Sequence, residues 1–584
     1  MDLQTAFERA FALHQNGRLA EAEPLYRQVL EAAPGDFAAQ LLLGILRHEQ
    51  ERHSEALPLL AAALAIDPDS DLALLNRGNA LAAMGRPEAA MADYDHGLAV
   101  HPQHADLLNA RGLLRISLLR FEDALGDLDR ALAIRPDFGE AWNNRGNALQ
   151  ALKRFAEAVD CFDRALALRP DHAQGHNNRA NALRRLGRLE DALAATDRAL
   201  ALDSANAQAL NDRGNVLQEM NRWDEAIASY DRALELQPDY VDALNNRGTA
   251  HRDLMRFGAA LADFDRAARI APDAAQAHWS RGIALMLQGD LGEGLRLYEW
   301  RKKLPAPIEA RNYRQPLWTG SEDIGGKTLF LYIEQGLGDT IQFFRYALMA
   351  RARGARVILS VQDAILRLMQ DAGADIEILD SAGVPPAFDY HAPLMSLPLA
   401  FATTRNTIPA PIPYLRTEPQ RVEKWAARIG AHGFRIGICW QGAASIAGRS
   451  FPLAALAPIC AMQNVRLISL QKGAGTEQIA PSGLRVEELG DDFDAGPGAF
   501  LDSAAAMQSL DLVITADTAL AHLAGALGRP CWVALKYVPD WRWFLGVADS
   551  PWYPQLRLFR QPAPGDWDGV FAQMRAPLRA VQLS

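Results

Sequence analysis

The 584-residue chain holds only four cysteines, Cys161, Cys439, Cys460 and Cys531, and none forms a C-x-x-C pair. No His/Cys cluster has zinc spacing, so the sequence predicts reduced thiols in a protein core and no metal site. An apolar signal core is missing: the opening MDLQTAFERAFALHQNGRLA reads as an amphipathic helix. The most apolar early stretch, Ala56 to Ile66, is too short to span a bilayer. These absences predict a cytoplasmic protein without a membrane span. Positive charge is also short, with a net charge of -11, which argues against a nucleic-acid partner.

What the chain does have is a period. Pro34, Pro68, Pro102, Pro136, Pro170, Pro238 and Pro272 stand 34 residues apart, with Ser204 in the one skipped slot. Twelve places before each of these slots stands an alanine: Ala22, Ala56, Ala90, Ala124, Ala158, Ala192, Ala226, Ala260. Glycines recur in the same register at Gly44, Gly78, Gly112, Gly146, Gly214, Gly248 and Gly282, with Ala180 in the odd slot. A large residue follows most alanines by four places, as in Tyr26, Tyr94, Phe162, Tyr230 and Phe264. This pattern resembles the tetratricopeptide repeat, a helix pair of 34 residues. Small residues let the two helices approach, the ring fills the space between them, and the proline stops the second helix. One unit cannot bury its apolar face alone, so the sequence predicts an all-α superhelix over residues 3–303, with eight full units and a partial ninth.

Near Leu304-Pro305-Ala306-Pro307 the register stops, and a linker over 304–325 is expected. From Lys327 short apolar runs alternate with helical ones, which predicts parallel α/β structure. Candidate strands are Thr328–Ile333, Val357–Val361, Ile376–Leu379, Ile436–Trp440, Leu467–Leu470, Leu512–Thr515 and Cys531–Leu535. The Pro-rich break Ile408–Pro413 divides two lobes, at 326–415 and 434–562. A helix and linker at 416–433 joins them, and 563–584 reads as a helical tail. Two such lobes place their strand C-termini across a cleft, where helix N-termini present N–H groups to phosphates.

The informative residues stand just after those strands. Glu334-Gln335-Gly336-Leu337-Gly338-Asp339-Thr340 is a glycine turn entering a helix. It is neither a dinucleotide fingerprint nor a P-loop, and Asp339 is also suited to cap the helix. Trp440-Gln441-Gly442 follows the next lobe's first strand, then Arg449-Ser450-Phe451. Gln471-Lys472-Gly473 follows another strand. Arg449 and Lys472 suit a diphosphate, or are solvated surface cations. Asp517-Thr518-Ala519-Leu520-Ala521-His522 ends a strand and opens an alanine-rich helix, where His522 is a ligand-facing or a packed core histidine.

Residues 326–560 resemble the heptosyltransferase-like glycosyltransferases, built of two Rossmann-like lobes (the GT-B fold). The stretch Asp517 to Pro530 looks like that family's donor-binding signature, and the G-L-G-D turn like its acceptor-side loop. Arg449-Ser450-Phe451 looks like its phosphate element, with Phe in place of Trp. Pro539-Asp540-Trp541-Arg542-Trp543 and Asp549 to Pro554 resemble the subgroup that carries tetratricopeptide repeats. The resemblance implies an inverting, metal-independent transfer of sugar from a nucleotide-sugar co-substrate to an acceptor hydroxyl, with no further cofactor. Asp339 is the candidate base, with Glu334 next. Trp440, Gln441, Gly442, Arg449, Ser450, Gln471, Lys472, Gly473, Asp517, Thr518, Ala519 and His522 are the candidate donor-binding residues. The short first lobe puts a lipopolysaccharide acceptor in doubt. A protein acceptor, flagellin or another surface protein among them, is the leading reading. A glycan-directed transferase and a scaffold with inactive lobes are the alternatives. The D-x-D pairs Asp127/Asp129 and Asp263/Asp265 lie on repeat helices, where i and i+2 do not share a face, and are rejected as metal sites.

The repeats suggest where a protein would bind. The sixth position of successive units carries Asn76, Asn144, Asn178, Asp212 and Asn246, and the ninth carries Asn79, Asn147, Asn181 and Asn215. Asparagine is disfavoured inside helices, so its recurrence needs a reason. An asparagine ladder would match peptide backbone along a groove, as in O-GlcNAc transferase, whose architecture this chain resembles. The alternative is that these amides bond between neighbouring repeats.

Overall fold

The computed structural model describes residues 2–304, 311, 313–443, 448–496 and 498–583. Of the expected linker, residues 305–310 and 312 lie outside the described residues. The chain forms two compact units, Met1–Pro238 and Asp239–Ser584.

The first unit is a run of antiparallel helix pairs, from Leu3–Gln15 with Leu19–Ala32 to Ala207–Glu219 with Trp223–Leu236. The glycine slot is where the two helices of a pair touch. A Cβ built on Gly146 would lie 2.5 Å from the Phe162 ring, and one on Gly214 2.4 Å from the Tyr230 ring. Where Ala180 takes that slot, the opposing register position holds Thr196 instead of a ring, and Thr196 is fully buried. The extra methyl on one helix is thus matched by a smaller side chain on the other.

The second unit opens with two more pairs, Val241–Asp253 with Phe257–Ile270 and Ala275–Leu287 with Leu291–Tyr298, then a 3-10 turn, Glu299–Lys303. Strand β1 (Thr328–Tyr332), β2 (Arg356–Val361), β3 (Glu377–Asp380) and β4 (Tyr390–Pro393) form a parallel sheet in the order β3-β2-β1-β4. The second sheet comprises β5 (Phe434–Cys439), β6 (Val465–Ser469), β7 (Val486–Glu488), β8 (Leu512–Ala516), β9 (Cys531–Leu535), β10 (Asp549–Ser550) and β11 (Tyr553–Arg560). Its order is β10-β11-β9-β8-β5-β6-β7, parallel throughout except for the β10–β11 pair. β8 and β9 are buried along their whole length, as expected of strands covered on both faces.

One apolar core joins this unit. It takes Leu331 and Leu359 from the first sheet, Val513 and Val533 from the second, and Leu287, Leu291 and Tyr298 from the last helix pair. The helix after β1, Leu337–Ala352, packs on the helix after β8, Ala519–Ala526. That contact sets the ends of β1 and β8 facing each other, which makes a cleft.

Candidate functional site

The cleft encloses about 620 Å³. Its first wall is the turn after β1, with Gly336, Leu337, Gly338 and Asp339. Gly338 is glycine because the opposite wall comes close: a Cβ there would lie 2.8 Å from His522 Cδ2 and 3.4 Å from Ala519 Cα. Gly336 meets no such crowding, but its N–H donates to Asp339 Oδ2 at 2.9 Å, so Asp339 does cap its helix.

The second wall comes from loops after β5, β6, β8 and β9, with Gln441, Gly442, Arg449, Gln471, Lys472, Asp517, Thr518, Ala519 and His522. Gln471 fastens two of these loops. Its Oε1 accepts from the Trp440 and Gln441 N–H groups at 3.2 and 3.0 Å, and its Nε2 donates to the Gln441 carbonyl at 3.1 Å. Ser450 Oγ accepts from the Gly442 N–H at 3.1 Å. Thr518 caps the Ala519–Ala526 helix, whose N-terminus opens on the cleft. Lys472 donates to the Phe493 carbonyl at 2.7 Å, which holds its ammonium at the rim.

Four expected residues stand outside the cleft lining, among them Ser450, which supports Gly442 from behind. Glu334 is nearly buried and pairs with Arg301 at 2.6 Å, away from the cleft lining. Trp440 is fully buried in the core behind β5 and donates to the Gly475 carbonyl at 3.0 Å. Gly473 stands outside the cleft lining, in a left-handed turn at φ 71°.

The cleft gathers charge of both signs. Arg542 reaches from the loop after β9, pairing with Asp540 at 2.7 Å and with Asp339 across the cleft at 2.5 Å. Arg449 Nε lies 3.6 Å from Asp517 Oδ2. Burial pushes the Asp339 and Asp517 carboxyls up, against Arg542 and Arg449 respectively. Burial pushes Asp540 the same way, but Arg542 outweighs it and holds this carboxyl down. His522 stacks on Trp543 with ring centroids 5.2 Å apart, and its Nδ1 lies 3.2 Å from the Tyr553 hydroxyl. Burial, then the nearby Arg542 cation, lowers its pKa to about 3, so the ring is neutral. It is both a packed core histidine and a cleft residue. Arg542 and Asp540 have no expected role from sequence; their signal was the Pro539–Trp543 run that resembles the repeat-bearing subgroup.

In the first unit the sixth-position residues bond across repeats. Asn144 Nδ2 donates to Asn109 Oδ1 at 2.9 Å, and Asn178 Nδ2 to Asn143 and Asn147 Oδ1 at 3.2 and 3.1 Å. Asp212 accepts from Asn177 and Asn181 at 2.7 and 2.9 Å. These three sixth-position residues therefore engage the fifth, the ninth or both positions of the repeat before them. Asn76 instead turns back to its own helix, on the Leu72 carbonyl at 2.8 Å. Asn246 occupies the same register in the second unit. The D-x-D aspartates are held by different arginines: Asp127 by Arg111 and Arg115, Asp129 by Arg145, Asp263 by Arg247, Asp265 by Arg281.

The fold thus defines a repeat region of helix pairs followed by an α/β region of two sheets around a cleft. Tetratricopeptide repeat models match residues 7–71, 47–114, 139–172, 173–206, 211–275 and 246–299. The N-terminal region is a tetratricopeptide repeat region, consistent with protein–protein binding. Protein FlbA of Caulobacter vibrioides is 29% identical over 325 residues, covering 50% of this chain and 53% of FlbA. The chain therefore spans about half the length of that relative. Among solved structures, a tetratricopeptide repeat protein from Parabacteroides merdae is 20% identical at TM-score 0.36, covering 42% of this chain and 98% of that one. PilF of Pseudomonas aeruginosa is 22% identical at TM-score 0.33, covering 35% and 94%. A tetratricopeptide repeat protein of Thermus thermophilus is 25% identical at TM-score 0.28, covering 31% and 98%. No described helix is long and apolar enough to cross a membrane.

Proposed function

We propose that the α/β region is a glycosyltransferase of the two-lobed GT-B kind, acting from a nucleotide-sugar on a hydroxyl of a protein bound by the repeat region. One observation carries the reading. A single cleft brings together the G-L-G-D turn, the cations Arg449 and Lys472, and the N-terminus of the helix opened by Asp517 and Thr518. The order of the second sheet supports it: β7-β6-β5-β8-β9-β11 is the strand order of the doubly wound nucleotide-binding fold. In such sheets a ligand sits beyond the strand C-termini, and here the cleft lies there.

In this reading the nucleotide's phosphate lies between Arg449, Lys472 and the N–H groups of the helix beginning at Ala519. These groups are fixed before the leaving group departs, so they stabilise the developing charge without reorganising. Asp339 takes the proton of the attacking hydroxyl. Its raised pKa makes it a stronger base than a solvated carboxylate. Protein is retained as the acceptor class on the repeat region's account. The ladder residues Asn144, Asn178 and Asp212 spend hydrogen bonds between repeats, so their assignment to peptide loses its support.

The test joins three measurements. A nucleotide-sugar panel is screened by thermal shift, donor hydrolysis is followed with the ligand that stabilises, and co-expressed protein acceptors are weighed intact. Asp339→Asn is expected to keep the thermal shift and lose about 10²- to 10⁴-fold in turnover. No stabilisation by any nucleotide-sugar, and no hydrolysis, would leave the inactive scaffold as the better reading.

A further inference from the structure

We propose that Arg542 is the positioning residue for Asp339, a clamp from the second lobe that aims the first lobe's carboxylate into the cleft. The inference rests on the transferase reading for its chemistry but on geometry for its placement. The Arg542 side chain is 8% exposed and forks between two carboxylates, Asp339 Oδ1 at 2.5 Å through Nη2 and Asp540 Oδ1 at 2.7 Å through Nη1. The Asp540 carboxylate also accepts the Arg542 backbone N–H at 3.0 Å, which fixes the loop that carries the clamp. The guanidinium lies over the Trp541 ring at 4.6 Å and the Phe343 ring at 5.6 Å, so it has little freedom to swing.

On the other side, Asp339 Oδ2 accepts the Gly336 N–H. Each oxygen of the carboxylate is thus anchored once. Two oxygens offer four lone-pair sites in all, and the Asp339 side chain, 20% exposed, still faces the cleft. A base held by one bond at each oxygen keeps a fixed direction and retains lone pairs for an incoming hydroxyl. A planar fork is needed for this, because it satisfies Asp540 and Asp339 together; an ammonium is a point charge without that directionality.

The groups facing Asp339 settle what removal of the clamp does. Arg542 and Arg449 favour its ionised form, Asp540 disfavours it, and burial disfavours it most. Tyr298 from the last repeat helix, Asp517 and neutral His522 complete the surroundings. Loss of the Arg542 cation leaves burial and Asp540 less opposed, so the carboxyl holds its proton to higher pH.

The decisive experiment reads that titration directly. Protein labelled with ¹³C at aspartate carboxyls is titrated by NMR, and Asp339 is assigned from the signal absent in Asp339→Asn. In Arg542→Met its midpoint is expected to rise by about one pH unit or more. In Arg542→Lys, which keeps the cation and serves if the Met variant unfolds, the midpoint is expected to move less. The acid limb of kcat/KM should follow the same order. With the stabilising nucleotide-sugar, turnover at neutral pH should fall on the order of 10- to 100-fold with little change in donor affinity. An Asp339 midpoint unmoved in folded Arg542→Met overturns the proposal. A shifted midpoint in a protein that turns over no nucleotide-sugar keeps the clamp and sinks the transferase reading instead.

Discussion

A histidine kept neutral by burial makes stability depend on pH in a defined sense. The His522 pKa is held to about 3, against about 6.5 for the ring in an unfolded chain. Between those values the unfolded chain binds a proton that the folded one does not. The stability is therefore fully present above about pH 6.5 and is lost as pH falls towards 3, by at most about 1.4 kcal/mol per pH unit. Asp339 and Asp517 act in the opposite sense, because their raised carboxyls take up protons first in the folded state. His522→Asn, which keeps a polar atom near the Tyr553 hydroxyl, is expected to remove the first dependence and leave the second. Urea unfolding of the second unit at pH 7, 6, 5 and 4 checks it. An equal slope in both proteins would mean that the native ring titrates like a solvated one.

The helix pairs carry their own strain, also on the 34-residue period. The residue that turns each first helix into the second is left-handed: Gly17, Glu51, Gly85, Leu119, Lys153, Gly187, Asn221, Met255 and Gly289, at φ between 57° and 96°. Side chains with a Cβ are strained there, and only some repeats use glycine. Leu119 is 75% exposed, so replacing it loses no core contact. Leu119→Gly is expected to stabilise the first unit by up to about 1 kcal/mol, the relief of strain exceeding the added chain entropy of glycine. A thermal unfolding midpoint that falls instead would show the entropy to be the larger effect. The helix crossings were legible in the glycine and alanine slots, but these turns were not, because most repeats put a residue other than glycine there. The seven apolar runs read as strands coincide with strands to within two residues at each end, because buried parallel strands are continuous apolar runs. β4, β7, β10 and β11 were not legible: Tyr390–Pro393 contains His391 and a proline, Val486–Glu488 is an exposed edge, β10 has two residues, and β11 mixes charge with its apolar positions. The cleft was legible as a set of loops after strands. Which side chain of a loop faces inward was not, since Glu334 and Trp440 turn away while Asp339 and Gln441 face in. Arg542 was out of reach for a further reason: its partner Asp339 stands 203 residues away, a pairing only the tertiary fold creates.

At the scale of the molecule, the boundary between units falls inside the repeats, so the last two helix pairs group with the α/β region. Apolar contact and a buried charge cluster both secure the final pair. Leu287 and Tyr298 share the core of the sheets, and the Leu545 N–H donates to the Leu287 carbonyl at 3.0 Å. The Arg301 side chain, 1% exposed, pairs with Glu334 at 2.6 Å and with Glu299 at 2.5 Å, and donates to Ser396 Oγ at 2.8 Å. Replacing Arg301 by Met leaves Glu334, 3% exposed, as a buried carboxylate without its cation. Breaking one side of a buried pair costs about 3–5 kcal/mol, whereas removing both sides costs much less. Arg301→Met is therefore expected to destabilise the second unit by about that amount, and Arg301→Met with Glu334→Gln to recover part of it. The first unit has its own core, so its unfolding transition should not move in either variant. Hydrogen exchange with mass spectrometry separates the two: in Arg301→Met, amides of Val241–Asp253 and Ala275–Leu287 should lose protection together with those of β1 and β8. Loss of protection in those helices alone would mean that the final repeats unfold apart from the sheets. The β1 turn that carries Asp339 would then owe its position to the sheets alone, and Arg301 would be a local repair of the repeat's end.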